Sequence, residues 1–272
     1  MKNLLYSLLV GILSPAYAAA CEPGAACQVD TGFYRYEVPE TIAGPLPLIV
    51  FLHGYASSSE RVINVDRVLV DNAIKKGFAF LAAEGTVAER DGALNGWSVW
   101  PGFPGIRDDR QYIWEAIDDF SEKIEVDRSR IYLVGFSLGG SATLDTACKD
   151  PEGFAGFAVL NGAMWNPLPE SCVSNVSIFQ THAFADDVLP LEGLRYDQVT
   201  SGDVFAGFGL FRQAAGNLQP DSFDFTGEYW CRSWDDDARR FCLYGGNHDW
   251  PLSWMPQVTQ WIEHISAANQ GN

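Results

Sequence analysis

The stretch Ile131-Tyr132-Leu133-Val134-Gly135-Phe136-Ser137-Leu138-Gly139-Gly140 decides the fold. Ile131 to Phe136 is a short apolar run, which predicts a strand buried on both faces. It leads straight into a small-residue stretch ending near Cys148, which predicts a helix. Between the two lies Gly135-Phe136-Ser137-Leu138-Gly139, a G-x-S-x-G sequence. The glycines permit a sharp turn with backbone close on both sides, lifting the Ser137 hydroxyl clear of the sheet. The amides of the following helix aim at the same spot, where they can stabilise an anion. The bland alternative is a small-residue turn that only lets the helix pack. Strand before and helix after favour the nucleophile elbow.

Outward from this stretch, short apolar runs alternate with helix-like stretches. Leu46 to Leu52 reads as a doubly buried strand, followed by a helix from Ser57-Ser58-Ser59 to Lys76 that stops at Gly77. Phe78 to Ala83 is the next strand, and Asp108 to Ile124 an amphipathic helix. Phe154 to Leu160, Val176 to Thr181 and Arg240 to Tyr244 read as strands, and Met255 to Ala267 as a closing helix. This order predicts a mostly parallel central sheet with helices on both faces, the α/β-hydrolase fold, as a single domain over 21–272. The stretch between Asn161 and Val176 is short, so no large lid is expected there. Catalytic groups should lie just past the C-terminal ends of strands.

A serine nucleophile needs a base, and the chain has four histidines. Chain order in this fold is Ser, acid, His, which leaves His182, His248 and His264. His182 closes a strand and His264 sits within the last helix. His248 follows the last strand on the loop Gly245-Gly246-Asn247-His248-Asp249-Trp250-Pro251, and is read as the base. The acid should follow a strand between Ser137 and His248. Asp186 and Asp187 both qualify, and periodicity does not choose between them. The oxyanion hole is read as the amide of Leu138 with that of Tyr55, in the loop His53-Gly54-Tyr55-Ala56. His53 is read as a buried, hydrogen-bonded organiser of that loop. Trp97, Trp100, Trp165 and Trp250 fall on loops at the same end, as substrate-binding candidates or as loop packing.

Composition limits the partners. The chain has 272 residues, 47% of them hydrophobic, with a formal net charge of −17. That charge disfavours nucleic acid and membrane surfaces. Asp235-Asp236-Asp237 reads as a solvated turn rather than a cation site, and no metal or organic cofactor is expected. Residues 1–20 read as a signal peptide: Lys2, an apolar stretch from Leu4 to Leu13, and Ala16-Tyr17-Ala18, with cleavage after Ala18 or Ala20. Export into an oxidising compartment gives the six cysteines a role as disulfides. Six allow fifteen connectivities, of which the sequence-near set 21–27, 148–172 and 231–242 is preferred. A lipid-anchored Cys21 is the competing reading, and it would leave an odd number.

Taken together, Pro47 to Gly54, the Asp108-Asp109 helix, Val126 to Gly140, His182 to Pro190 and Gly245 to Pro251 resemble the polyhydroxybutyrate depolymerase and feruloyl esterase family. The resemblance implies a secreted serine ester hydrolase working through an acyl-enzyme, with Ser137 and His248 in the roles above. It places the acid on Asp186, four residues after His182. Ala183 and Asn247 stand where the family commonly has glycine, which bears on substrate rather than chemistry. The implied substrates are esters derived from plant polysaccharide or polyester. Soluble esters are expected over solid polymer, because no linker and second domain follow His248. A serine peptidase of the same fold and a catalytically silent binding protein are the alternatives.

Overall fold

Leu48, Val50 and Leu52 fall on one face of a strand, Ile49 and Phe51 on the other, and all five are fully buried. The first set joins one hydrophobic core and the second another. One sheet therefore separates two cores, as a strand with no solvent face requires. A computed structural model describes residues 21–87, 95–100, 107–173, 176–216, 218–225 and 227–270. The signal-peptide reading of residues 1–20 lies outside the described residues.

In chain order the strands begin β1 (Cys27–Val29), β2 (Gly32–Glu37), β3 (Leu46–Leu52), β4 (Ala79–Ala83), β5 (Thr86–Val87), β6 (Asn95–Gly96) and β7 (Val126–Phe136). They continue β8 (Gly156–Leu160), β9 (Ile178–Ala183), β10 (Arg195–Tyr196), β11 (Val199–Thr200), β12 (Ser222–Asp224), β13 (Tyr229–Trp234) and β14 (Arg239–Tyr244). The helices are α1 (Ser59–Asn64), α2 (Arg67–Lys75), α3 (Asp109–Ser121), α4 (Leu138–Lys149), α5 (Val204–Ala214) and α6 (Trp254–Gln270). The main sheet has ten strands in the order β1-β2-β4-β3-β7-β8-β9-β14-β13-β12. From β4 to β14 every pairing is parallel. Antiparallel strands finish both edges. Side chains of α3, α4 and α5 fill one core, and those of α1, α2 and α6 the other.

The order reverses at β3: the chain steps to β4 on one side, then crosses to β7 on the other. Loops leaving β3 and β7 diverge there and open a crevice beyond their C-terminal ends, where an open α/β sheet binds its ligands.

Two differences from the sequence reading have local causes. The single helix expected from Ser57 to Lys76 is broken into α1 and α2 at Val65-Asp66. Both Val65 and Asp66 turn their amides back to the Arg61 carbonyl, and neither residue type favours helix continuation. The edge strands β1, β2, β12 and β13 and the helix α5 went unread. In β2 the inward-facing residues, Tyr34 and Tyr36, alternate with outward-facing ones instead of forming a continuous buried run.

The three disulfides are 21–27, 148–172 and 231–242, the sequence-near set. Asp235, Asp236 and Asp237 form the β13–β14 turn, all with positive φ, and Asp235 and Asp237 pair with Arg239 and Arg240. Among the described residues no group of three or more side chains could hold a metal ion, and no helix is long and apolar enough to cross a membrane.

Candidate active site

The elbow is as tight as its glycines suggest. A Cβ on Gly135 would overlap the Gly139 carbonyl, and one on Gly139 would overlap the Leu52 carbonyl oxygen. The end of β7, the start of α4 and the end of β3 thus touch through backbone alone. Ser137 between them has φ 54°, ψ −122°, a strained conformation for a residue with a side chain. Its amide donates to the Leu160 carbonyl at 3.0 Å and its carbonyl accepts from Ser141 at 2.9 Å, which holds the turn.

Ser137 Oγ lies 2.8 Å from His248 Nε2. His248 Nδ1 lies 2.8 Å and 3.0 Å from the two oxygens of Asp186. Since a carboxylate only accepts, Nδ1 carries the proton and Nε2 is left to accept from the serine. Asp186 Oδ1 also accepts the amides of Val188 and Leu189, at 2.9 Å and 2.7 Å, which fixes the carboxylate plane. Its side chain is wholly buried. Asp187 is exposed and reaches none of these groups through its carboxylate; its amide donates to Asn247 Oδ1.

His182 supports this turn from below. Its Nε2 donates to the Leu189 carbonyl at 2.7 Å and lies 3.4 Å from Asp186. Burial holds its basicity below the usual histidine range. His53 is the organiser expected. Its Nδ1 donates to Gly54 O at 2.8 Å and its Nε2 accepts from the Gly85 amide at 3.0 Å, so the ring is neutral and locked. Burial lowers its pKa as well. Gly54 brings its loop against the elbow, close enough that a Cβ there would sit 3.3 Å from that of Ser137. The amides of Ala56 and Ser57 bond to Asn95 O and Gly54 O, so neither serves an oxyanion. Leu138 opens α4, and its amide has no carbonyl one turn back within the helix.

Three supporting residues escaped the sequence reading. Asn161, at the end of β8, donates through Nδ2 to the carbonyls of Asn247 and Asp249, on either side of His248. The Tyr244 hydroxyl reaches the same two carbonyls at 3.0 Å and 2.6 Å. Asn247 Oδ1 accepts the amides of His248 and Asp187, tying the His248 loop to the Asp186 turn. A polar residue closing an otherwise apolar strand, as Asn161 does, was the available signal.

A cleft of about 330 Å³ opens beside Ser137. Tyr55, Trp100, Trp165 and Tyr196 form an arc along it, each ring about 6 Å from the next (5.9, 6.1 and 5.8 Å). Val188, Leu189 and Val199 complete an apolar wall. That wall comes from the segment after Asp186, including the β10–β11 hairpin. Trp97 and Trp250 do not join the arc. Trp97 is buried and donates to the His53 carbonyl at 2.8 Å, bracing the loop from beneath. Trp250 packs against Phe136 and Phe51, at the border of the second core. Loop packing is their role.

Sheet topology, switch-point crevice and strained elbow define an α/β-hydrolase fold. The chain belongs to the phospholipase/carboxylesterase family, whose model matches residues 36–198. It is 29% identical over 153 residues to the putative esterase NocK of Nocardia uniformis subsp. tsuyamanensis, covering 54% of this chain and 42% of that protein. It is also 29% identical over 158 residues to the bifunctional acetylxylan esterase/xylanase XynS20E of Neocallimastix patriciarum, covering 56% of this chain and 21% of that protein. The chain thus spans less than half the length of these curated relatives. Among solved structures, the acetyl xylan esterase from Aspergillus awamori superposes with a TM-score of 0.62 at 14% identity, covering 85% of this chain and 94% of that one. The Bacillus cereus carboxylesterase gives 0.55 at 12% identity, covering 85% and 93%. The specific kinship with polyhydroxybutyrate depolymerases and feruloyl esterases stays a reading of the sequence; the family shown is the broader one.

Proposed function

We propose that this protein is an exported serine carboxylic ester hydrolase with Ser137 as nucleophile, His248 as base and Asp186 as the acid that orients it. The observation that carries the reading is the continuous line Ser137 Oγ, His248 Nε2, His248 Nδ1 and Asp186, with 2.8 Å at each contact. Ser137 Oγ attacks the ester carbonyl while its proton passes to His248 Nε2. The oxyanion rests on the amides of Leu138 and Tyr55. The imidazolium then protonates the leaving alcohol, and a water activated by His248 releases the acid from the acyl-enzyme. No cofactor takes part.

The aromatic arc and apolar wall suit an acyl group that is short or carries an aromatic ring. Acetyl or feruloyl substituents of plant polysaccharide are the substrates we favour, followed by dissolved hydroxyalkanoate oligomers. Esterase-named relatives, one of them an acetylxylan esterase, support this choice. Three disulfides and the signal-like leader support export. A fluorophosphonate probe should label the protein and fail on Ser137→Ala. p-Nitrophenyl acetate and methyl ferulate should be cleaved, and a peptide p-nitroanilide should not. Labelling that persists in Ser137→Ala would reject the nucleophile, and faster anilide than ester cleavage would make the protein a peptidase.

A further inference from the structure

Away from the cleft, the antiparallel edge of the sheet carries a second concave surface, of about 460 Å³. Register puts Trp230 opposite Leu243, Arg232 opposite Phe241 and Phe223 opposite Arg232, so these side chains share one face. Helix α5 closes one side of that face, with Phe205 and Phe208 against Phe241 at 5.3 Å and 5.1 Å. Four aromatic rings gathered there are open to solvent: Phe205 at 49%, Trp230 at 51%, Phe223 at 58% and Phe225 at 72%. Scattered apolar residues on a surface need no explanation, but a cluster of exposed rings in one groove marks a contact site.

Charge narrows the occupant. Arg232 stacks over Phe223 and Arg212 over Trp234, at 5.5 Å or less (5.3 and 5.1 Å). Among the described residues neither guanidinium has a carboxylate partner, although the protein carries 35 acidic residues. The nearby acids Asp224, Asp235 and Asp237 pair instead with Arg239 and Arg240. An apolar polyester surface or a lipid tail would desolvate these two cations without supplying a carboxylate. A second copy packed through the same face would bring two more guanidiniums and, from the lining of the groove, no carboxylate to meet them. A chain of pyranose rings carrying occasional carboxylates satisfies both features: flat sugar faces lie on the rings, and the carboxylates meet the guanidiniums. The charge of −17 disfavours a dense polyanion, but sparse carboxylates sense the rest of the protein only within a screening length of about 8 Å.

We propose that this face is a binding platform for a polysaccharide of largely neutral pyranose rings bearing scattered uronate groups. Trp230, Phe223 and Phe225 stack on the sugars, and Arg232 and Arg212 hold the carboxylates. Trp230 lies two strands from His182, through Leu243, or about 10 Å across the sheet. The acid turn begins just beyond His182, so a polymer on the platform keeps its substituents at high effective concentration beside the cleft. Binding is separable from the proposed chemistry, because it does not depend on Ser137.

The test uses the full chain with Ser137→Ala, which prevents turnover, in affinity electrophoresis and calorimetry. Ligands are glucuronoxylan, the same polymer with its carboxyls reduced, and polyhydroxybutyrate granules. Glucuronoxylan should bind, and the carboxyl-reduced form should bind about two- to fivefold more weakly. Trp230→Ala should weaken both by about tenfold or more. Arg232→Gln should reduce the difference between the two polymers, and Arg232→Gln with Arg212→Gln should abolish it, while binding of the carboxyl-reduced form stays unchanged. In the Ser137 background, Trp230→Ala and Arg232→Gln should leave p-nitrophenyl acetate hydrolysis unchanged, which shows the variants are folded. No binding to either xylan, or binding indifferent to Trp230→Ala, overturns the proposal. Adsorption to the granules alone, or a dimer that Trp230→Ala dissociates, would assign the face to those occupants instead.

Discussion

Asp186→Asn isolates one proton. In the native arrangement Asp186 Oδ1 accepts two backbone amides, from Val188 at 2.9 Å and Leu189 at 2.7 Å. An asparagine must keep its carbonyl oxygen at that position, since turning the amide there would point N–H at N–H. The –NH₂ group is then forced into the place of Oδ2, 2.8 Å from His248 Nδ1. Two donors cannot share that contact, and the other oxygen, 3.0 Å from Nδ1, is already taken by the two amides, so the imidazole adopts the tautomer with Nδ1 bare and Nε2 protonated. Nε2 then has no lone pair for the Ser137 proton at 2.8 Å, and general-base catalysis stops without any atom moving far. A comparable tautomer reversal costs ~10⁴-fold in kcat. At about 1.36 kcal/mol per decade this is about 5.4 kcal/mol of transition-state stabilisation. The assay is kcat for p-nitrophenyl acetate at pH 7.5, with Asp187→Asn as the partner variant and circular dichroism as the check on folding. Asp187→Asn should stay within about threefold of the native rate, because that carboxylate touches none of the three groups. A loss of less than tenfold in Asp186→Asn, or an equal loss in Asp187→Asn, would refute the reasoning.

Three further outcomes follow from other parts of the structure. Gly139→Ala should lower unfolding free energy by more than about 3 kcal/mol, since its Cβ meets the Leu52 carbonyl and backbone cannot yield; Gly245→Ala, with nothing within 4 Å of its Cβ, should change it by less than about 0.5 kcal/mol, both read from urea midpoints. Asn161→Ala should take away one of the two groups that hold the carbonyls flanking His248, leaving only the Tyr244 hydroxyl, and lower kcat by up to about 10²-fold while the protein remains folded; an unchanged kcat would deny Asn161 its role. His53 and His182 are buried and neutral, with pKa values below 6.5 in the folded chain. Above pH 6.5 neither state binds the proton, but below it the unfolded chain takes up protons first, so stability should fall from pH 6.5 downward by up to about 1.4 kcal/mol per pH unit for each ring. Urea midpoints that stay level between pH 7 and pH 5.5 would contradict this.

The catalytic end of the molecule was legible wherever the chemistry lies in one contiguous stretch. Ser137 is marked by the strand, the two glycines and the helix that follow one another around it. β3, β4 and β8 are nearly continuous apolar runs because both their faces are buried, and such runs stand out in any sequence. The disulfides were readable because each joins cysteines 24 or fewer residues apart. The edge strands were not readable in this way. One face of each meets water or a short helix, so the apolar signal is halved.

What the sequence by itself determined is which groups the proposed triad draws on and their order along the chain, Ser137, Asp186 and His248, and the loops that carry them. A strand, a turn or a helix is specified by neighbours within a few residues, and those neighbours are printed side by side. Tertiary structure decided what depends on distance through space. It brought the Asp186 carboxylate to His248 Nδ1, oriented by two amides two and three residues on, and left Asp187 in solvent. It sent Trp100 and Trp165 to the cleft and Trp97 and Trp250 into packing, although all four sit on loops of similar character. It also brought Asn161 to the carbonyls of a loop 86 and 88 residues away. A side chain's partner across a sheet is fixed by strand order and register, which arise only when every strand has found its place, so no local pattern records it.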